Sequence, residues 1–101
     1  MLRILWRFRA KASRLVDFRR TYGRDGEWAK LFARDADYRG TELLQDTTNR
    51  LAFVVVDSWA AEDSFTRFRE QFGHDYERLD EQCRELTEEE TRIGVFTVEV
   101  E

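Results

Sequence analysis

Five positions in the second half of the chain carry residue types that could do chemistry: Asp57, Ser58, Trp59, His74 and Tyr76. A carboxylate or an imidazole can accept a proton, and a tyrosine hydroxyl can hydrogen-bond a phenolic ligand. An indole can stack on an aromatic ligand. Each residue also has a structural interpretation. Asp57 or Ser58 can cap a helix, while Trp59 and Tyr76 can fill a core.

His74 is the only histidine in the chain, and it directly follows Gly73. It could lie on the surface at a helix break, accept a proton, or ligate a haem iron. A lone histidine without a second ligand does not make a metal site. The single cysteine, Cys83, is expected to be an inert small hydrophobic residue. We therefore predict no metal and no resident cofactor, and leave haem open.

Composition limits the class of protein. The chain has 101 residues and a net charge of −4, from 17 basic and 21 acidic residues. The length predicts one domain over residues 1–101, and the acidic excess does not suit nucleic-acid binding. No apolar stretch is long enough for a signal-peptide core or a membrane span. One cysteine excludes an internal disulfide, which is compatible with a reducing compartment. We therefore expect a cytoplasmic protein, and because no membrane span is predicted we expect no membrane partner.

Hydrophobic periodicity predicts the elements that position these residues. Strands are predicted at 2–10, 38–46, 51–59 and 92–100. Two helices are predicted between the first two strands, the first capped by Ser13 and ended by Gly23. A helical apolar face from Phe65 to Leu86 predicts two further helices in nearly the same phase, separated at Gly73. The spacing of Thr87 and Glu90 predicts one more short helical turn that begins with acidic residues 88–90.

The order of these elements predicts an α+β fold, a split βαβ arrangement (βαββαβ). It has a four-stranded antiparallel sheet, helices on one face, and the first and third strands in the centre. The run LAFVVV at 51–56 is apolar on both faces, and helices can cover only one of them. We therefore expect a homodimer whose two sheets pack face to face. Arg7 on the first strand would then need a carboxylate, such as that of Glu42, or would bind an anion.

Four stretches resemble one family: GEWAKLF at 26–32, YRGTELLQD at 38–46, FVVVDSWAAEDSFTRF at 53–68 and YERLDEQCRELTEEETRIGVF at 76–96. Together they resemble the small antibiotic-biosynthesis-monooxygenase-like proteins of the dimeric α/β-barrel superfamily. The resemblance covers nearly the whole chain. It implies a ferredoxin-like fold, a barrel-forming dimer, and a substrate pocket between the sheet and its own helices.

The same resemblance bears on the site residues. Trp59 matches a tryptophan that follows the third strand in many members. Quinone-forming relatives carry an Asn four residues before that tryptophan and a Tyr six residues after it, where this chain has Val55 and Phe65. Haem-degrading relatives use a first-strand Asn, which is missing here, and a His about ten residues after the tryptophan. His74 lies 15 residues after Trp59.

Three functions remain in competition. The first is a cofactor-independent monooxygenase for a small aromatic or quinol substrate, with His74 or Tyr76 handling the proton. Its substrate-binding wall would be formed by Trp28, Phe32, Trp59, Phe65 and Phe68. The second is a non-catalytic or stress-related module that binds a small ligand in the same pocket. The third is an RNA-binding module, which the aliphatic third strand and the negative charge disfavour.

Overall fold

The computed structural model describes residues 1–99. The strands are β1 (Leu2–Ala10), β2 (Tyr38–Gln45), β3 (Ala52–Trp59) and β4 (Thr87–Thr97); the helices are α1 (Leu15–Tyr22), α2 (Glu27–Phe32) and α3 (Ser64–Cys83). Single 3-10 turns, Ala12–Arg14 and Arg84–Leu86, precede α1 and β4. The predicted element order is confirmed for these residues, and the predicted strand end at Val100 lies outside them.

All four strands form one antiparallel sheet in the order β2-β3-β1-β4. The predicted central position of the first and third strands is therefore confirmed, as is the α+β ferredoxin-like fold. β1 and β3 pair along their whole length, from Leu2 opposite Trp59 to Arg9 opposite Ala52. Their alternate side chains face the helices, because successive strand residues point to opposite faces of a sheet.

The core lies between this sheet face and the three helices. Its centre is aromatic: Trp59, Phe18 and Phe68 are completely buried, and Phe32 lies within ring-contact distance of both Trp59 and Phe68. Aromatic rings bury large areas and add edge-to-face attraction. This packing explains how a chain with 38% charged residues still holds a defined interior.

Two predicted helix caps are wrong. Ser13 lies in the 3-10 turn before α1, which begins at Leu15 without a side-chain cap. Thr87 is in extended conformation and begins β4, so residues 88–90 belong to a strand. The sheet decides this second case, since pairing with β1 satisfies the backbone groups of this segment. The predicted end of α1 at Gly23 is confirmed.

The long apolar helical face forms two helical halves in nearly the same phase, joined by a kink, as predicted. α3 runs from Ser64 to Cys83 and bends at Phe72, whose backbone has φ −116° and ψ 25°. The bend directly precedes Gly73, the residue expected to interrupt the helix. Because the two halves keep the same phase, Phe68 and Cys83 both reach the core.

The other sheet face carries aliphatic, aromatic and basic side chains, and within residues 1–99 no helix packs over it. Phe96 and Leu44 on this face are 49% and 47% exposed. Arg7 is exposed, and no ion pair joins it to Glu42 among residues 1–99. The predicted pair is therefore wrong within one chain: β3 lies between the two strands, so their backbones are about 10 Å apart.

None of the helices within residues 1–99 has the length and apolar character that a membrane crossing requires.

Candidate active site

A cavity opens between the helix-facing side of the sheet and the helices, where the resemblance predicted a pocket. The sheet contributes Ile4, Trp6, Phe8, Val55, Asp57 and Glu90, and the helices contribute Tyr22, Trp28, Phe32, Phe65, Tyr76 and Asp80. Its walls are mostly aromatic. The charged side chains that line it are all carboxylates, and among residues 1–99 no lysine, arginine or histidine does so.

Asp57 enters this cavity because β3 continues past it to Trp59. The expectation that Asp57 or Ser58 caps the next helix is wrong, since α3 begins only at Ser64. Alternation along the strand places Asp57 on the same face as Val55 and Trp59, while Ser58 points to the opposite face. A carboxylate therefore stands on the core side of a central strand.

An irregularity in β2 provides the hydrogen-bond partner of Asp57. The pairing of β2 with β3 shifts between Tyr38 and Gly40, and Gly40 has a φ of +131°. Glycine adopts such a conformation without steric cost. Beyond the shift, Thr41 lies directly opposite Asp57.

A short hydrogen-bond chain ends on the carboxylate. The Thr41 hydroxyl donates to Asp57 Oδ1 at 2.6 Å, and the Tyr38 and Thr41 hydroxyls are also 2.6 Å apart. Because Thr41 has only one hydroxyl proton and donates it to Asp57, Tyr38 is the donor in the second bond. Among residues 1–99, Asp57 Oδ2 accepts no hydrogen bond. One carboxylate oxygen is therefore held by Thr41, and the other can accept a further hydrogen bond.

Burial changes the acid strength of Asp57. Its side chain is 8% exposed, and desolvation raises its pKa from the ordinary 3.8 to about 6, against the opposing effect of the Thr41 hydrogen bond. Burial disfavours the charged form because the interior cannot solvate it as water does. The group is therefore a carboxylate at neutral pH, with a basicity close to that of histidine.

Three other titratable residues that line the cavity, Glu90, Tyr76 and Tyr22, also have raised pKa values. Burial raises the pKa of Glu90, with a smaller contribution from the nearby charge of Asp80. Burial likewise raises the pKa of Tyr76, while the charge of Arg69 lowers it. The Arg69 guanidinium stacks 3.9 Å from the Tyr76 ring centre. Tyr22 has a raised pKa from burial and, secondly, from Cys83.

The structure separates the predicted site residues into three groups. Tyr76, Trp28, Phe32 and Phe65 line the cavity. Trp59 and Phe68 are completely buried behind Phe32 and Phe65, so they support the wall without lining it. His74 is exposed on α3 and is not among the lining residues.

Two carboxylates of this site lie in segments whose sequence favours another structure. Asp57 has the residue type of a helix cap, although its even spacing from Val55 and Phe53 on one strand indicates an inward side chain. The spacing of Thr87 and Glu90 predicts a helical turn for Glu90, but Glu90 lies on β4 opposite Phe8 and reaches the cavity. No local signal in the run of three glutamates distinguishes its last member, since only the pairing with β1 decides which one faces inward.

Comparison with known proteins supports the fold. No protein-family model matches the chain, and no curated protein sequence matches it. Among solved structures, SnoaB, a cofactor-independent oxygenase from Streptomyces nogalater, is similar at 24% identity and a TM-score of 0.68. The similarity covers 99% of this chain and 94% of SnoaB.

Two putative antibiotic biosynthesis monooxygenases are also similar in structure. The Deinococcus radiodurans protein has a TM-score of 0.78 at 10% identity, over 100% of this chain and 95% of its own. The Nitrosomonas europaea protein has a TM-score of 0.69 at 12% identity, over 97% and 98%. The chain therefore has the fold of antibiotic-biosynthesis-monooxygenase-like proteins over its whole described length, as the resemblance implied.

Proposed function

We propose that this chain is a cofactor-independent monooxygenase acting on a small, electron-rich aromatic or quinol substrate. The observation that supports it most is the aromatic cavity with one buried carboxylate, Asp57, on its wall. Aromatic rings provide stacking surfaces, and a dry site favours the reaction of an ionised substrate with O₂ by excluding water. The structural similarity to SnoaB, itself a cofactor-independent oxygenase, adds support at the level of the fold.

Substrate entry requires side chains to move. About 40 Å³ of the cavity is open to water-sized molecules, which is less than the ~150 Å³ cavity that binds benzene elsewhere. Three lining rings, those of Trp6, Phe65 and Tyr76, are only partly buried. Partly exposed side chains change rotamer quickly, so these rings are the proposed entrance.

Oxygen uptake tests the proposal. Purified protein would be mixed with anthrone or 1,4-dihydroxynaphthalene, and O₂ consumption would be compared with that of the protein-free solution. Val55→Phe should suppress the added uptake by filling the cavity, whereas Val16→Phe changes a residue that is 70% exposed on α1 and should not. Circular dichroism confirms that both variants fold. Equal uptake with and without wild-type protein, for every substrate tried, refutes the proposal.

A non-catalytic binding module is the second candidate, favoured by Val55 and Phe65 at positions where quinone-forming relatives carry Asn and Tyr. In that case the same aromatics raise the Tm of the wild type by an amount that grows with their concentration, because a ligand stabilises the state that binds it. No protein-dependent O₂ uptake accompanies the shift. If none of the aromatics changes the Tm of the wild type, the result counts against both functions.

We also propose that two copies pack through their uncovered sheet faces. Leu5, Val54, Leu44 and Phe96 form an aliphatic and aromatic patch on that face, and soluble chains rarely leave such a patch open to water. A second copy related by two-fold symmetry matches the patch with itself. The single buried cysteine fits a reducing compartment, and the cytoplasm remains the proposed location.

Analytical ultracentrifugation tests the dimer. At micromolar concentration the wild type should sediment as a dimer, and Val54→Asp should sediment as a folded monomer because it buries a charge in the interface. Val16→Asp places the same charge on exposed α1 and should remain dimeric. A wild type that sediments as a stable monomer refutes the proposed interface.

A further inference from the structure

We infer that Asp57 is the proton acceptor of this site, positioned by Thr41 and Tyr38, and that the aromatic substrate enters neutral and loses its proton inside the cavity. This inference rests on the proposed function and adds to it a catalytic residue and the charge state of the substrate. His74, the single histidine, is not needed for this step, since it is exposed and does not line the cavity.

Geometry supports Asp57 over the other groups. Its Oδ1 is held by the Thr41 hydroxyl, and its Oδ2 accepts no hydrogen bond from residues 1–99. A carboxylate on a central strand, fixed through one oxygen, keeps the orientation that proton transfer needs. Glu90 and Asp80 lie on more exposed parts of the wall, where water competes for their protons.

The charge of the cavity determines the form of the substrate. Within residues 1–99, the charged side chains that line the cavity are the acids Asp57, Asp80 and Glu90. The buried Asp57 carboxylate repels an incoming phenolate or other anion, because screening by water is weak around it. A substrate that must react as an anion therefore has to enter neutral and be deprotonated after it binds.

The proposed step is a single proton transfer. The acidic C–H or O–H bond of the neutral aromatic breaks, its proton moves to Asp57 Oδ2, and the electron pair stays on the substrate as a carbanion or phenolate. Asp57 becomes a neutral carboxylic acid, so the total charge of the cavity does not change. Thr41 holds the carboxylate during the transfer, and the Tyr38 hydroxyl holds Thr41.

The step has a characteristic pH dependence. Because burial raises the pKa of Asp57 to about 6, the rate should rise as pH increases through about 6 and then level off. If the substrate ionised in solution before binding, the rate would instead keep rising with pH until the pH reached the higher pKa of the substrate itself. The titratable or hydroxyl groups facing Asp57 from the surrounding elements are Thr41 and Tyr38 (β2), Tyr22 (α1), Tyr76 and Asp80 (α3) and Glu90 (β4).

Hydrogen–deuterium exchange without O₂ isolates this step. Anthrone has an acidic methylene group, and its exchange in D₂O buffer between pH 5 and 8 can be followed by NMR under argon. Wild-type protein should accelerate the exchange with a midpoint near pH 6. Asp57→Asn should lower the acceleration by about 100-fold or more, the usual loss on removing a general base. Asp25→Asn, which changes an exposed loop carboxylate, should match the wild type.

Thr41→Val provides a second, independent variant. It removes the hydrogen bond that lowers the pKa of Asp57, so the midpoint of the exchange profile should move to higher pH while anthrone binding, followed by tryptophan fluorescence, persists. A merely structural threonine would reduce binding or stability without moving the midpoint.

The outcomes separate this inference from the proposed function. Exchange that depends on Asp57, without protein-dependent O₂ uptake, supports the base and refutes the oxygenase. Protein-dependent O₂ uptake that is unchanged in Asp57→Asn supports the oxygenase and overturns the assignment of Asp57 as the proton acceptor. The base is also overturned if wild-type protein does not accelerate exchange, or if Thr41→Val leaves the midpoint in place.

Discussion

Replacing Asp57 by Asn should stabilise the protein at neutral pH. Burial raises the pKa of the carboxyl in the folded chain from 3.8 to about 6, so the folded state binds this proton more tightly than the unfolded state. The difference of about two units, at 1.36 kcal/mol each, corresponds to about 3 kcal/mol of destabilisation by the buried charge at pH 7.

The sign of the pH dependence follows from the same difference. Below pH 3.8 the Asp57 carboxyl is protonated in both the folded and the unfolded state, so its ionisation does not lower the free energy of unfolding. As pH rises towards 6 the unfolded chain ionises first, so the free energy of unfolding falls, and above 6 the whole penalty is present. Asparagine is isosteric, keeps an acceptor for the Thr41 hydroxyl and carries no charge at any pH.

Urea denaturation at pH 4, 5, 6 and 7 measures this directly. The stability difference between Asp57→Asn and wild type should be small at pH 4 and grow to ~2–3 kcal/mol at pH 7, where Tm should rise on the order of 10 °C. Protein concentration is held constant, because association also stabilises. Asp25→Asn, on an exposed loop, should show no such trend.

A difference that is constant across pH would refute the reasoning, because it would mean that Asp57 ionises equally easily in the folded and unfolded chains. An Asn variant that is less stable than wild type at pH 7 would also refute it. That result would show that the carboxylate makes favourable contacts that outweigh its desolvation.

The remaining predictions concern packing and backbone. Phe68→Ala should lower the free energy of unfolding by ~3–5 kcal/mol in urea, since Phe68 is completely buried among aromatic rings. Gly73→Ala should raise Tm by the equivalent of ~0.5–1 kcal/mol, because a methyl group there meets no atom within 4 Å and alanine favours helix. Gly40→Ala should cost ~1–3 kcal/mol in urea, since its φ of +131° strains any side chain.

Much of the fold follows from patterns within single segments. The period-two alternation of 2–10 and the helical spacing from Phe65 to Leu86 each report their own secondary structure, because one face of each element must be buried. The order of the elements predicted the first and third strands in the centre of the sheet, where β1 and β3 lie. Four of the predicted pocket residues, Tyr76, Trp28, Phe32 and Phe65, line the cavity for the same reason: they belong to inward faces.

The predictions at Thr87 and Asp57 were wrong because each segment fits both a helix cap and a paired strand. The spacing of Thr87 and Glu90 is equally good for a capping box and for a strand, and only the free edge of β1 decided between them. Asp57 is an ordinary cap residue by type. Its burial depends on how far β3 extends, which the pairing with β1 and β2 determines.

The sequence by itself determined the order of the elements, the central strands and the aromatic character of the interior, since these depend on periodicity and residue type. The tertiary structure alone decided which polar groups meet there. The register shift at Gly40 sets Thr41 opposite Asp57, and the pairing of β1 with β4 turns Glu90 inward. Strand register is a long-range property, and a shift of one residue would point each of these side chains to the opposite face.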